Sequence, residues 1–125
     1  MRALFVDDEV EFLQLMEKRL SRRGLSVHVA SNAQTALDML ATIQASEEAF
    51  EIVVMDVSMP GMDGLEALRH MKERYPKLPI ILLTGHACMD SAVRGMELGA
   101  FDYMLKPVAI NELLIKMEDA VRSAE

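Results

Sequence analysis

A chain of 125 residues is large enough to bury a real core and too small for two ordinary domains, so residues 1–125 are expected to form one domain. Twenty acidic side chains against 13 basic ones leave a formal charge of −7 and no basic stripe, which excludes nucleic acid as a direct partner. The single cysteine, Cys88, excludes an internal disulfide, and no apolar run reaches membrane-spanning length or forms a leading signal region. A cytoplasmic chain without membrane contact is expected.

Taken in order, short apolar runs alternate with helical periods. Ala3-Leu4-Phe5-Val6 reads as a strand, after which Phe12, Leu13, Met16 and Leu20 recur at helical spacing until Gly24. Val27-His28-Val29-Ala30 is a second strand. Ser31 with Gln34 three residues later has the form of a capping box, opening a helix whose inner face carries Ala36, Leu37, Leu40 and Ala41. Ile52-Val53-Val54-Met55-Asp56 is a fully apolar run that ends in a carboxylate, and the unbroken run predicts burial on both faces, as in a parallel sheet covered by helices. A helix from about Leu65 to Arg74 is closed by Tyr75-Pro76, and Pro79-Ile80-Ile81-Leu82-Leu83 follows as the fourth strand, with proline only at its entrance. A short helix over about Asp90 to Leu98 contains Gly95, which costs about 1 kcal/mol relative to alanine and predicts a weakly held element. Asp102-Tyr103-Met104-Leu105 is the fifth strand, and Ile110, Leu113, Leu114, Met117 and Val121 line the last helix. Eleven methionines scattered among these segments read as flexible core filling.

Five successive βα units predict an α/β fold with a five-stranded parallel sheet, doubly wound in the flavodoxin-like order 2-1-3-4-5. In that order the crevice opens between the ends of strands 1 and 3, where Asp7, Asp8 and Asp56 stand. Thr84 and Lys106 end strands 4 and 5 on the same rim. Each has a bland alternative: Asp8 as a helix cap, Thr84 as a loop hydroxyl, Lys106 as a surface lysine. Three clustered carboxylates call for a hard cation, and Mg²⁺ suits them because it binds through one or two carboxylates and keeps waters that phosphate oxygens can replace. Asp56 could then act as a nucleophile toward a phosphoryl group. The Thr84 hydroxyl and the Lys106 ammonium would stabilise the transferring charge.

These residues resemble the receiver domains of two-component response regulators along the whole chain. The resemblance runs through Asp7-Asp8, Asp56, Met59-Pro60-Gly61-Met62-Asp63-Gly64, Thr84-Gly85, Gly99-Ala100-Phe101-Asp102-Tyr103 and Lys106-Pro107. It implies that Asp56 is the phospho-acceptor and that Asp8, Asp56 and the backbone carbonyl of Ser58 hold Mg²⁺, with Asp7 acting chiefly through water. Thr84 and Lys106 would bind the phosphoryl oxygens in the active state, and Tyr103 would be the switch aromatic whose ring turns inward as the threonine moves. The matching Lys-Pro bond is cis in that family, and Gly85 matches the small residue that leaves the phosphoryl group accessible. Ser58 and His86 match positions that tune phosphoryl lifetime, with an exposed loop histidine the alternative for His86 and a half-buried strand tyrosine the alternative for Tyr103.

The implied function is a phospho-accepting switch of a His-Asp phosphorelay, which catalyses only its own phosphorylation and dephosphorylation. It would take its phosphoryl group from a sensor histidine kinase or a phosphotransfer protein. It would signal through the face formed by the fourth helix, fifth strand and fifth helix, to an output domain, a docking partner or a second copy of itself. The chain ends soon after its last helix, so the output is expected in a partner or a further segment. A metal-dependent phosphohydrolase of the haloacid dehalogenase type fits less well, because its second aspartate would fall at Ser58. A flavin carrier fits less well because Asp7-Asp8-Glu9 would repel a flavin phosphate. His28, His70 and His86 are too scattered for a metal site.

Overall fold

The computed structural model describes residues 1–57, 64–85 and 88–125. Strands and helices alternate from end to end: β1 (Arg2–Val6), α1 (Val10–Ser21), β2 (Ser26–Ala30), α2 (Ala33–Ile43), β3 (Ile52–Asp56), α3 (Gly64–Arg74), β4 (Ile80–Thr84), α4 (Met89–Glu97), β5 (Asp102–Leu105) and α5 (Ile110–Ser123). The strands form one parallel sheet in the order β2-β1-β3-β4-β5, as the repeated βα units predict. Among the described residues no helix is long and apolar enough to cross a membrane.

The pleat sends alternate residues of each strand to opposite faces, and each face is covered. Val53, Met55, Ile80 and Leu82 pack with Ala36 and Leu40 of α2 and Ala67, Leu68 and Met71 of α3. Ile52, Val54, Ile81 and Leu83 face the other way, onto Leu13, Met16 and Leu20 of α1 and Leu113, Met117 and Ala120 of α5. Every residue of β3 and of β4 is therefore buried, including the polar Asp56 and Thr84 at their ends. β5 differs: as the outer strand it is only half-buried throughout, and Asp102 on it pairs with Lys116 of α5 at 2.5 Å. A charge on an outer strand discourages edge pairing with another chain.

Two local expectations change. The cap of α2 is Asn32 rather than Ser31: the Asn32 side chain accepts a hydrogen bond from the Thr35 amide at 2.8 Å, and Gln34 bonds Asp38 instead of closing a capping box. With the helix entered one residue later, its buried face is Ala33, Ala36 and Leu40, and Ala41 is exposed. The second change concerns Gly95. It is buried, and a Cβ there would lie 2.2 Å from Leu82 Cδ1 and 3.5 Å from Leu68 Cδ2. The glycine lets α4 seat directly against β4, so its role is close packing and not only a loss of helix propensity.

Candidate functional site

The site grows from the ends of β1 and β3. These strands are parallel neighbours with Val6 opposite Met55, so the next residues, Asp7 and Asp56, emerge side by side. The Asp7 amide donates to the Ala30 carbonyl at 3.1 Å, and Asp7 Oδ1 accepts from the Glu9 amide at 2.9 Å, which fixes the turn into α1. Asp7 and Asp56 are buried, Asp8 is exposed, and carboxylate oxygens of all three lie within 4.8 Å of one another. Lys106 arrives from the far edge of the sheet: its amide donates to the Thr84 carbonyl at 2.8 Å, and its peptide bond to Pro107 is cis. Its ammonium then spans the rim to reach Asp7 at 2.5 Å, Asp56 at 3.2 Å and Glu9 at 3.3 Å.

Burial pushes the Asp7 carboxyl above its ordinary range, against the opposing pull of the Lys106 ammonium and the Glu9 amide. Burial also works against the Lys106 charge, but the hydrogen bond it donates to Asp7 and the charges of Asp7 and Asp56 outweigh it and hold the ammonium above its usual value. One ammonium thus stands among four carboxylates and cannot neutralise them. This donor set fits a small dication: only hard oxygen ligands, close enough to share one ion, with one of the three acids exposed so that waters can complete an octahedron.

Thr84 stands on the same rim, but its hydroxyl is directed elsewhere. It is fully buried, and its oxygen lies 3.1 Å from the Gly85 carbonyl and 3.2 Å from the carbonyl of Cys88, the residue that precedes α4. A Cβ on Gly85 would meet nothing within 4 Å, so this stretch of rim is open. Tyr103 lies opposite Leu82 on β5 and packs, half-buried, against the cluster beneath α2 and α3. Ser58 and His86 lie outside the described residues, as do residues 59–63 and 87.

The model of the response regulator receiver domain matches residues 3–118. The chain belongs to this family. Among curated relatives it is 36% identical over 121 residues to regulatory protein AtoC of Escherichia coli, covering 97% of this chain and 25% of AtoC. It is 38% identical over 122 residues to response regulator MprA of Mycobacterium avium, covering 98% of this chain and 51% of MprA. The chain therefore spans about a quarter to a half of the length of such relatives. Among solved structures, a response regulator receiver domain from Clostridium thermocellum superposes with a TM-score of 0.90 at 32% identity, over 98% of this chain and 94% of that one. The receiver domain of NtrX from Brucella abortus gives 0.87 at 31% identity, over 97% and 98%. The protein is thus a receiver domain of a two-component response regulator, a signalling switch related to AtoC.

Two residues of this receiver's rim carry no signal of their role in the sequence. Glu9 reads as one more acid after Asp7-Asp8, yet it contacts Lys106 from across 97 positions of sequence. Phe12 reads as a core position of α1, yet its ring centroid lies 4.5 Å from the Lys106 ammonium. Only the convergence of β1 and β5 on one rim brings them together.

Proposed function

We propose that this receiver accepts a phosphoryl group on Asp56 from a phosphohistidine of a sensor histidine kinase or phosphotransfer protein. An Asp56 carboxylate oxygen attacks phosphorus, the donor's P–N bond breaks, and an acyl phosphate forms while the released imidazole takes up a proton. The observation that carries this reading is the grouping of the buried Asp56 carboxylate with Asp7 and Asp8 within 4.8 Å and the Lys106 ammonium 3.2 Å away. Asp7, Asp8 and Asp56, with the Ser58 carbonyl, would hold Mg²⁺, which when bound neutralises charge on the carboxylates and the phosphoryl oxygens. Lys106 would pass from the carboxylates to a phosphoryl oxygen as a point charge. Thr84 would exchange its bonds to the Gly85 and Cys88 carbonyls for a phosphoryl oxygen, and Tyr103 would turn inward behind it. The surface made by α4, β5 and α5 would then change, to regulate an output domain, a docking partner or a homodimer. Residues 1–125 act in this reading as one receiver unit.

Mg²⁺ with acetyl phosphate should add a single acid-labile phosphoryl group to the wild type and none to Asp56→Asn, measured as intact mass. Equal labelling of both would sink the assignment. Followed after the donor is removed, the same mass gives the decay rate that Ser58 and His86 are proposed to set.

A further inference from the structure

The Lys106 ammonium has three carboxylate neighbours of unequal hold. Asp7 and Asp56 are buried and draw it inward, whereas the Glu9 side chain is 65% exposed and draws it toward solvent. The fourth neighbour is not an acid. Phe12, half-buried on α1, presents its ring to the ammonium at 4.5 Å from the centroid while it also packs against the α1–α5 side of the core.

We propose that Phe12 is a positioning residue for Lys106, holding the ammonium beside Asp56 without itself taking up one of the hydrogen bonds that the phosphoryl group would claim. The proposal rests on the phosphoryl-transfer reading of the site. The electron-rich face of a phenyl ring attracts a cation through its quadrupole and carries no formal charge. A further carboxylate in its place would bind the ammonium more tightly, but it would also compete with the incoming phosphoryl oxygens and add to the repulsion they meet. A ring does neither. It also covers one side of the ammonium with apolar surface, and the Asp7 and Asp56 contacts are stronger where water is kept away. A leucine at position 12 would fill much of the space and restore none of the attraction. Glu9 would then be the nearest competitor, drawing the ammonium away from Asp56 toward solvent.

The test compares initial rates of Asp56 labelling by acetyl phosphate with Mg²⁺ in the wild type, Phe12→Leu, Phe12→Tyr, Lys106→Met and the Phe12→Leu/Lys106→Met double variant. Phe12→Leu should slow labelling by roughly three- to tenfold, the rate equivalent of losing one partly exposed cation–π contact. Phe12→Tyr, which keeps the ring, should stay near the wild-type rate. In the Lys106→Met background Phe12→Leu should have no further effect, because the ring acts only through the ammonium. A second readout needs no phosphorylation: the ε-methylene protons of Lys106 should show an upfield ring-current shift by NMR in the wild type and Phe12→Tyr that is lost in Phe12→Leu. An unchanged rate in Phe12→Leu, an equal slowing with and without Lys106, or the absence of the ring-current shift would each overturn the proposal. A wild type that is never labelled on Asp56 would overturn the phosphoryl-transfer reading itself and this proposal with it. Normal wild-type labelling with an indifferent Phe12→Leu would overturn the positioning role alone.

Discussion

The two halves of the sheet's carboxyl rim are wired differently. On one side, the ends of β1 and β3 and the Lys106 arm from β5 are already in contact, with the Lys106 ammonium 2.5 Å from Asp7 and 3.2 Å from Asp56. On the other side, β4 ends in Thr84, whose hydroxyl bonds the carbonyls of Gly85 and Cys88 at the entrance to α4. The first half is a charge cluster held together with its own counter-ion, and its attractions are internal to the rim. The second half is tied outward, to the helix that lies between β4 and β5. A group arriving at Asp56 would meet the first half as it stands. It would have to draw Thr84 away from α4 to engage the second. In the proposed function the difference would give the fold two separable tasks on one rim, chemistry at β1–β3 and transmission at β4–α4.

The largest effect should follow from breaking the first half. Lys106→Met removes the only ammonium described among these carboxylates, and Asp56 labelling by acetyl phosphate should slow by about a hundredfold, the usual loss when one charge-stabilising donor leaves a preorganised site. Labelling at the wild-type rate would mean that the ammonium serves the resting structure only. A smaller effect should follow from disturbing the second half at a distance from the chemistry. Gly95→Ala forces a methyl group against Leu82 in a packed interface, and should cost about 1–3 kcal/mol in urea unfolding. If Gly95 merely weakened a helix, the same change would stabilise by about 1 kcal/mol. The sign decides between them, and Leu82→Val added to Gly95→Ala should recover part of the loss if the clash is its cause.

Much of the fold is legible in the sequence, because the apolar runs of β3 and β4 demand cover on both faces and five βα units leave few topologies. The convergence of Asp7, Asp8 and Asp56 follows from that topology, since the order β2-β1-β3-β4-β5 makes β1 and β3 neighbours. Finer points depend on where the chain turns. Ser31 and Asn32 are both competent caps, and only the path into α2 decides that Asn32 accepts the Thr35 amide. Gly95 is ambiguous in sequence because low helix propensity and close approach call for the same residue, and the distance to Leu82 separates them. The direction of the Thr84 hydroxyl is set by where the Gly85 and Cys88 carbonyls stand, which periodicity does not encode. Glu9 and Phe12 become part of the rim only when β5 delivers Lys106 beside them.

In the proposed function, the chemistry at Asp56 reaches α4 through Thr84. Amide hydrogen exchange across residues 88–105 tests it most directly, measured with Mg²⁺ alone and with Mg²⁺ plus beryllofluoride as a phosphoryl mimic. The mimic should change protection in α4 and around Tyr103, as the bond between Thr84 and the Cys88 carbonyl is given up and the helix repacks against β4. Unchanged protection across residues 88–105, with changes confined to the segments around Asp56, would contradict it.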